Sequence, residues 1–225
     1  MRMMKIADTY RIAAAALMVA SASCACGQKA AVPKAGVSAK WLLDYQGNGD
    51  ADVRNDPQFA ALLTRALPQR QFFEGNMTLT KAAEYYMGVG TGRVTVDEGR
   101  YATVTGCVPH MCNTNEGLLW VDTQSARPRV LFAALDPIAG TQGEGGTTTW
   151  HLWIFGSQLL HADFDHVDAL PDDFMRQLKD WAGDRPVASA MFVEPNGILI
   201  PLLPKESLHL SLATEINNSE LKGSQ

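Results

Sequence analysis

The sequence predicts an α+β fold, an antiparallel β-sheet with helices packed on it, carrying a C-terminal helix and hairpin extension. Three observations predict it. Between Arg93 and Phe155 the chain falls into short β-type segments separated by turn signals. Segments of helical period with recognisable start signals lie on both sides of that run. The segments follow one another through short links, the condition under which neighbouring strands pair antiparallel.

Residues 1–26 read as a signal peptide: Arg2, Lys5 and Arg11, then the apolar run Ile12 to Ala20, then small residues. That run is too short to span a bilayer. Ala20-Ser21-Ala22 fits ordinary cleavage, whereas Cys24 or Cys26 would be the acceptor if this is a lipoprotein signal. Gly27 suits lipidation of Cys26, while Ser21 and Ser23 stand where such a signal prefers an aliphatic residue. The expected location is the periplasm, with a lipid anchor to the outer membrane as the alternative. Residues 27–40, rich in Ala, Gly, Val, Pro and Lys without periodicity, read as a flexible tether.

A domain of residues 41–160 is expected to begin near Trp41. Asp56 suits an N-cap before Pro57, and Phe59, Leu62, Leu63 and Ala66 recur at helical spacing until Pro68. A second helix is expected over Thr80 to Tyr86, after which Gly88, Gly90 and Gly92 break the pattern. Strands are expected at Arg93 to Val96 and Arg100 to Thr105, joined at Asp97-Glu98-Gly99, then at Leu118 to Val121, Arg129 to Ala134 and Thr149 to Phe155. Gly140 to Gly146 reads as a flexible connection.

Residues 161–225 read as an extension packed on the same domain, with a disordered tail. Its helix runs from Pro171 to Trp181, with Asp172 and Asp173 at the positive end of the dipole and Phe174, Leu178 and Trp181 on one face. Gly183 closes it. Val187 to Val193 and Ile198 to Leu203 flank the hairpin signal Asn196-Gly197, and Pro201 pushes the second segment to an edge. Leu208, Leu210 and Leu212 alternate as a further strand would.

The formal net charge of the 225-residue chain is −5, and loss of residues 1–25 removes Arg2, Lys5 and Arg11 against Asp8, which takes it to −7. An acidic chain argues against a nucleic-acid partner and favours encounter with a basic protein. If cleavage before Cys26 gives that thiol to a lipid, Cys107 and Cys112 have only each other; cleavage after Ala22 leaves Cys24 and Cys26 paired together or free. Either way the compartment is oxidising.

Cys107-Val108-Pro109-His110-Met111-Cys112 lies between two expected strands, so a bond between its cysteines would close a very tight loop. So small a ring contributes roughly 2 kcal/mol at most through loop entropy, which makes stabilisation a weak reason for it. Preorganisation is a better one, since a ring containing Pro109 has little freedom to lose on entering another molecule's cleft. His110 at its tip can hydrogen-bond through both ring nitrogens. A glycoside hydrolase offers two carboxyl groups roughly 5 to 9 Å apart for such a bridge.

At this loop the sequence resembles the inhibitors of vertebrate lysozyme, periplasmic proteins whose hallmark is a Cys-Lys-Pro-His-Asp-Cys loop. The hallmark is met by Cys107, Pro109, His110 and Cys112. Similar flanks are Phe59 to Leu63 through Leu67-Pro68, Tyr101 before the loop and Leu118 to Val121 after it, so the likeness spans about residues 55–160. It implies an α+β domain without catalysis of its own, which inhibits lysozyme by inserting the His110 loop between the catalytic Glu and Asp. Val108 stands where the family has Lys and Met111 where it has Asp. Those departures remove charges beside the histidine, and a different muramidase, one delivered by a competing bacterium, becomes an alternative target. In that case the chain is an immunity protein.

Competing readings are a disulfide that only tidies a hairpin, and a non-inhibitory envelope lipoprotein or scaffold that keeps the fold. A thiol oxidoreductase is disfavoured, because its cysteines normally enclose two residues at a helix start, whereas four separate Cys107 from Cys112. The cluster His161-Ala162-Asp163-Phe164-Asp165-His166-Val167-Asp168 concentrates metal-capable side chains, but as a strand it splits them between two faces and matches no zinc or calcium spacing. No metal or cofactor is expected, and the sequence lacks the signatures of a serine nucleophile or phosphate loop. Tyr85-Tyr86, Trp150, Trp153 and Phe155 read as packing residues rather than a binding platform. The expected partner is a lysozyme or a bacterial muramidase, and a homodimer is compatible with the sequence.

Overall fold

The computed structural model describes residues 38–69, 77–124, 128–138, 148–156, 169–195 and 197–202. The signal peptide with Cys24 and Cys26, most of the tether, the Gly140 to Gly146 connection, the His161 to Asp168 cluster, the Leu208 to Leu212 strand and the tail lie outside them.

The chain enters through a 3-10 helix, Lys40–Tyr45, and three α-helices, α1 (Asp50–Asn55), α2 (Pro57–Ala66) and α3 (Leu79–Tyr86). Asp56 caps α2 by accepting from the Gln58 amide (2.8 Å) and fixes the approach to it by accepting from the Tyr45 hydroxyl (2.8 Å). Thr78 caps α3 through the Lys81 amide (3.3 Å). The strands follow: β1 (Val89–Gly90), β2 (Thr95–Asp97), β3 (Tyr101–Cys107), β4 (Glu116–Asp122), β5 (Arg129–Pro137) and β6 (Trp150–Gly156). After α4 (Asp172–Ala182) come β7 (Val187–Val193) and β8 (Leu199–Pro201). Glu98 and Gly99 take φ of 53° and 59° at the β2–β3 turn, the double positive φ of a tight hairpin.

These eight strands form one open sheet in the order β1-β3-β4-β5-β6-β7-β8, with β2 also on β3. The antiparallel expectation holds for every pair but one: β6 and β7 run parallel, with Ile154 opposite Phe192 and Phe155 opposite Val193. A parallel pair needs a crossover, and α4 lies in that connection. Pro201 sits on edge strand β8, where a missing N–H is tolerated.

Alternation along the strands sends side chains to two separate cores. Leu119, Val121, Phe132 and Ala134 face α2 and α3 together with Phe59, Leu62, Leu63 and Tyr86. Leu118, Trp120, Leu131, Ala133 and Ile154 face α4 with Phe174, Leu178 and Ala182. The sheet is thus a middle layer covered on both faces, and β4 is buried throughout its length.

Candidate functional site

β3 and β4 end and begin with Cys107 opposite Glu116, so residues 108–115 cap this strand pair. Cys107 and Cys112 are joined in a disulfide with their Cα atoms 4.8 Å apart. The setting is strand and loop, unlike the helix start of a dithiol redox site.

Two turns shape the ring. The Val108 amide donates to the Asn115 carbonyl (2.9 Å), extending the ladder by one position, and the Met111 amide donates to the Val108 carbonyl (2.9 Å). This second bond closes a β-turn with Pro109 and His110 at its centre. Proline's fixed φ suits the first central position, and His110 at φ 66° supplies the left-handed backbone that a type II turn needs at the second. The chain returns through the Met111 carbonyl, which accepts from the Thr114 amide (2.9 Å), the Asn115 amide (2.8 Å) and the Thr114 hydroxyl (3.1 Å).

Pro109, His110 and Met111 are exposed and Cys112 is half-buried, whereas Val108 is buried in the core on the α2–α3 face. Of the two departures from the hallmark loop, only Met111 is therefore open to a partner. Val108 continues the alternation of Ala102 and Val104 toward that core, while the turn carries Met111 outward.

The ring rests on the segment that links α3 to β1. A side chain on Gly88 would meet Pro109 at 2.7 Å from Cδ and 2.9 Å from Cγ, so the proline sits in a notch that only glycine leaves open. Gly106 allows the same segment to cross β3, since a Cβ there would stand 2.7 Å from Met87 Cα. Asn115 is the main tie on the returning side: besides its two backbone bonds, its side-chain amide donates to Asp136 on β5 (2.6 Å). The Tyr86 hydroxyl donates to the same carboxylate oxygen. Burial and the neighbouring Asp136 charge raise the Tyr86 hydroxyl far above its ordinary range and keep it a donor.

Below the loop, Arg185 donates to Glu116 (2.5 Å) and to the carbonyls of Trp181 (2.8 Å) and Ala182 (3.1 Å), which ties the end of α4 to the start of β4. Burial pushes the Glu116 carboxyl up, and Arg185 opposes that shift. Of the two tyrosines read as packing residues, Tyr86 is buried in the core and Tyr85 is 46% exposed. Among the described residues no three His, Cys, Asp or Glu side chains come together as a metal site, and no helix is long and apolar enough to cross a membrane.

Gly88 and Asn115, which position the loop, are the residues whose role sequence reading passed over. The Gly88-Val89-Gly90 pattern signals a break in periodicity without indicating what fills the notch, and Asn115 is one polar loop residue among several.

Residues 78–184 match the family model described as Inhibitor of vertebrate lysozyme (Ivy). The match starts after α2 and runs through α4, later at both ends than the 55–160 likeness read from the loop and its flanks. No match is found among curated proteins or among solved structures. Over residues 78–184, from α3 through the disulfide loop to α4, the chain is similar to the inhibitor of vertebrate lysozyme (Ivy) family.

Proposed function

We propose that this chain inhibits a lysozyme or related muramidase by inserting the Cys107–Cys112 loop into the active-site cleft, with His110 as the plug. The family supports lysozyme inhibition in general, and a family of inhibitors is consistent with a chain that is not an enzyme. The observation that carries the loop mechanism is an exposed His110 at the tip of a ring closed by a disulfide, shaped by a proline turn and seated in the Gly88 notch.

Imidazole bridges one acceptor and one donor when neutral, such as an ionised and a protonated carboxyl, or two acceptors through its two N–H groups when protonated. Placed between the two catalytic carboxyl groups of a glycosidase, it occupies the gap that the scissile bond requires. The ring has already fixed the backbone of Pro109 and His110, so little ordering cost remains on binding. Positioning by Asn115 and Gly88 acts through the loop and not through contact with the enzyme.

The same reading places the protein in the periplasm, supported by the charged start, the apolar run Ile12 to Ala20 and the small residues after it. Lipid attachment at Cys24 or Cys26 is the anchored variant of that placement, and a mass spectrum of the mature protein distinguishes it from the free form.

The test is lysis of peptidoglycan by a basic vertebrate-type lysozyme and by bacterial muramidases, with and without the mature protein. Stoichiometric inhibition is expected, weakened at least about a hundredfold by His110→Ala, within the range of a strong interface hot spot. Joint Cys107→Ser and Cys112→Ser substitution is expected to weaken it less, by loss of preorganisation. An oxidised protein that inhibits none of these enzymes sinks the proposal and leaves the non-inhibitory scaffold.

A further inference from the structure

We infer that Tyr85, Val89 and Met111 form an uncharged apolar collar around His110, and that the partner is a muramidase whose cleft is rimmed by apolar and aromatic side chains rather than charged ones. This rests on the plug reading and deepens it by naming the chemistry of the rim.

Among the described residues five large apolar side chains are exposed, and three of them belong to the loop and its seat: Tyr85 (46%), Val89 (38%) and Met111 (43%). Their continuity follows from the backbone. Val89 pairs with Cys107, so its side chain stands on the same face as that half of the disulfide, about 5 Å away at Cβ. Met111 adjoins the other half, Cys112. Tyr85 is one turn before Gly88, whose amide donates to the Tyr85 carbonyl (3.0 Å) and whose open side receives Pro109. Tyr85, Pro109, Met111 and Val89 therefore lie on the turn that presents His110 or on the segment that seats it, with Val89 on the sheet face of Cys107 and Tyr85 on α3.

Charge is absent from the loop itself, and the nearest charges on α3, Glu84 and Lys81, are exposed on the helix that carries Tyr85. From Cys107 to Asn115 the only ionisable side chain outside the disulfide is His110. Exposed apolar groups clustered at one place mark an interaction surface, and Tyr and Met with few charges are the composition of an interface centre. Such a collar gains by being desolvated against apolar partner groups and would leave a charged rim unpaired. The net charge of −5 acts at longer range and affects the rate of encounter, so collar and net charge are separable by salt.

The experiment measures association and dissociation rates, with inhibition constants, for the wild type, Tyr85→Ser, Val89→Ser, Met111→Ser and Met111→Asp. The enzymes are a basic vertebrate-type lysozyme and a panel of bacterial and phage muramidases, at low and high sodium chloride. The best-inhibited enzyme is expected to be one with an apolar rim. Against it Tyr85→Ser and Met111→Ser each speed dissociation about five- to tenfold, with association unchanged and dissociation insensitive to salt. Met111→Asp weakens that complex further. All three positions are exposed in the free protein, and unchanged melting temperatures verify that the fold is kept. If the three serine variants dissociate within twofold of wild type while His110→Ala still abolishes inhibition, the collar is overturned and the plug stands. If the wild type inhibits none of the panel, both fall.

Discussion

Gly88 is the residue on which the loop's position depends most directly. A methyl group there meets the Pro109 ring at 2.7 Å and the Tyr85 carbonyl at 2.9 Å, and neither can retreat without moving the turn or unwinding the end of α3. Gly88→Ala is expected to weaken inhibition by about tenfold or more while lowering stability by only about 1–2 kcal/mol, the usual cost of local overpacking. Parallel measurement of the inhibition constant and of urea unfolding checks the two halves of that statement. A stability loss with unchanged inhibition would show that the notch does not position His110. At this scale the sequence was legible for the disulfide-closed loop proposed to act, since the cysteines, Pro109 and His110 announce themselves by type and spacing. It was not legible for the residues that hold them, because Gly88 and Asn115 act through contacts with chain distant in sequence, at Pro109 and Asp136.

Elements are held in register at the far end of β3, β4 and β5 by Asp122. Arg100 on the turn before β3 donates to both its carboxylate oxygens (2.8 Å each), and Arg129 on β5 donates to Oδ2 (2.9 and 3.2 Å). Those guanidinium contacts, Arg100 first, hold the Asp122 carboxyl down at about 2. A carboxylate with a lowered folded pKa stabilises the fold above its unfolded value, near 3.8, and loses that contribution as pH falls toward 2. With both arginines partly exposed, the contribution is about 1–2 kcal/mol. Asp122→Asn is expected to lower the melting temperature at pH 7 and to flatten its decline between pH 4 and 2, measured by thermal melts across that range. An unchanged slope would assign the acid sensitivity elsewhere. Asp50 works in the opposite sense: burial raises its carboxyl, so its ionisation costs stability as pH rises through the carboxylate range. Helices with side-chain caps or a dipole-matched first turn, α2, α3 and α4, were readable because those signals are local. The 3-10 helix, α1 and β1 span six, six and two residues, too short for a hydrophobic period to register, and are secured by long-range contacts such as the Gly92 amide and Thr105 hydroxyl on Asp50.

Seen as a whole, the folded chain extends beyond its family-matched stretch at both ends. Leu42, Val53, Phe59, Leu62 and Leu63 precede residue 78 and cover one face, while β7 follows residue 184 and pairs with β6. Residues 78–184 alone would leave Leu119, Val121 and Phe132 with only the cover that α3 gives, and β6 as a bare edge. That fragment is expected to lack a cooperative thermal transition and to bind a hydrophobic dye, whereas residues 38–202 melt as one unit; calorimetry and dye fluorescence on the two check it. The α+β class was legible from the alternation of turns and apolar runs. The parallel β6–β7 pair was not, because a strand's direction in the sheet depends on where α4 crosses, and local pattern carries no trace of that.

The closeness of the loop's two ends has a practical consequence. The six residues from Cys107 to Cys112 leave and return within 4.8 Å, and their turn is closed by a hydrogen bond inside the segment, Met111 to Val108. Such a segment is a cassette. Transplanted with a glycine-floored seat onto the end of an unrelated antiparallel strand pair, it carries its own shape with it, so the loop can be exchanged between scaffolds while the three-layer body is redesigned for solubility or heat resistance.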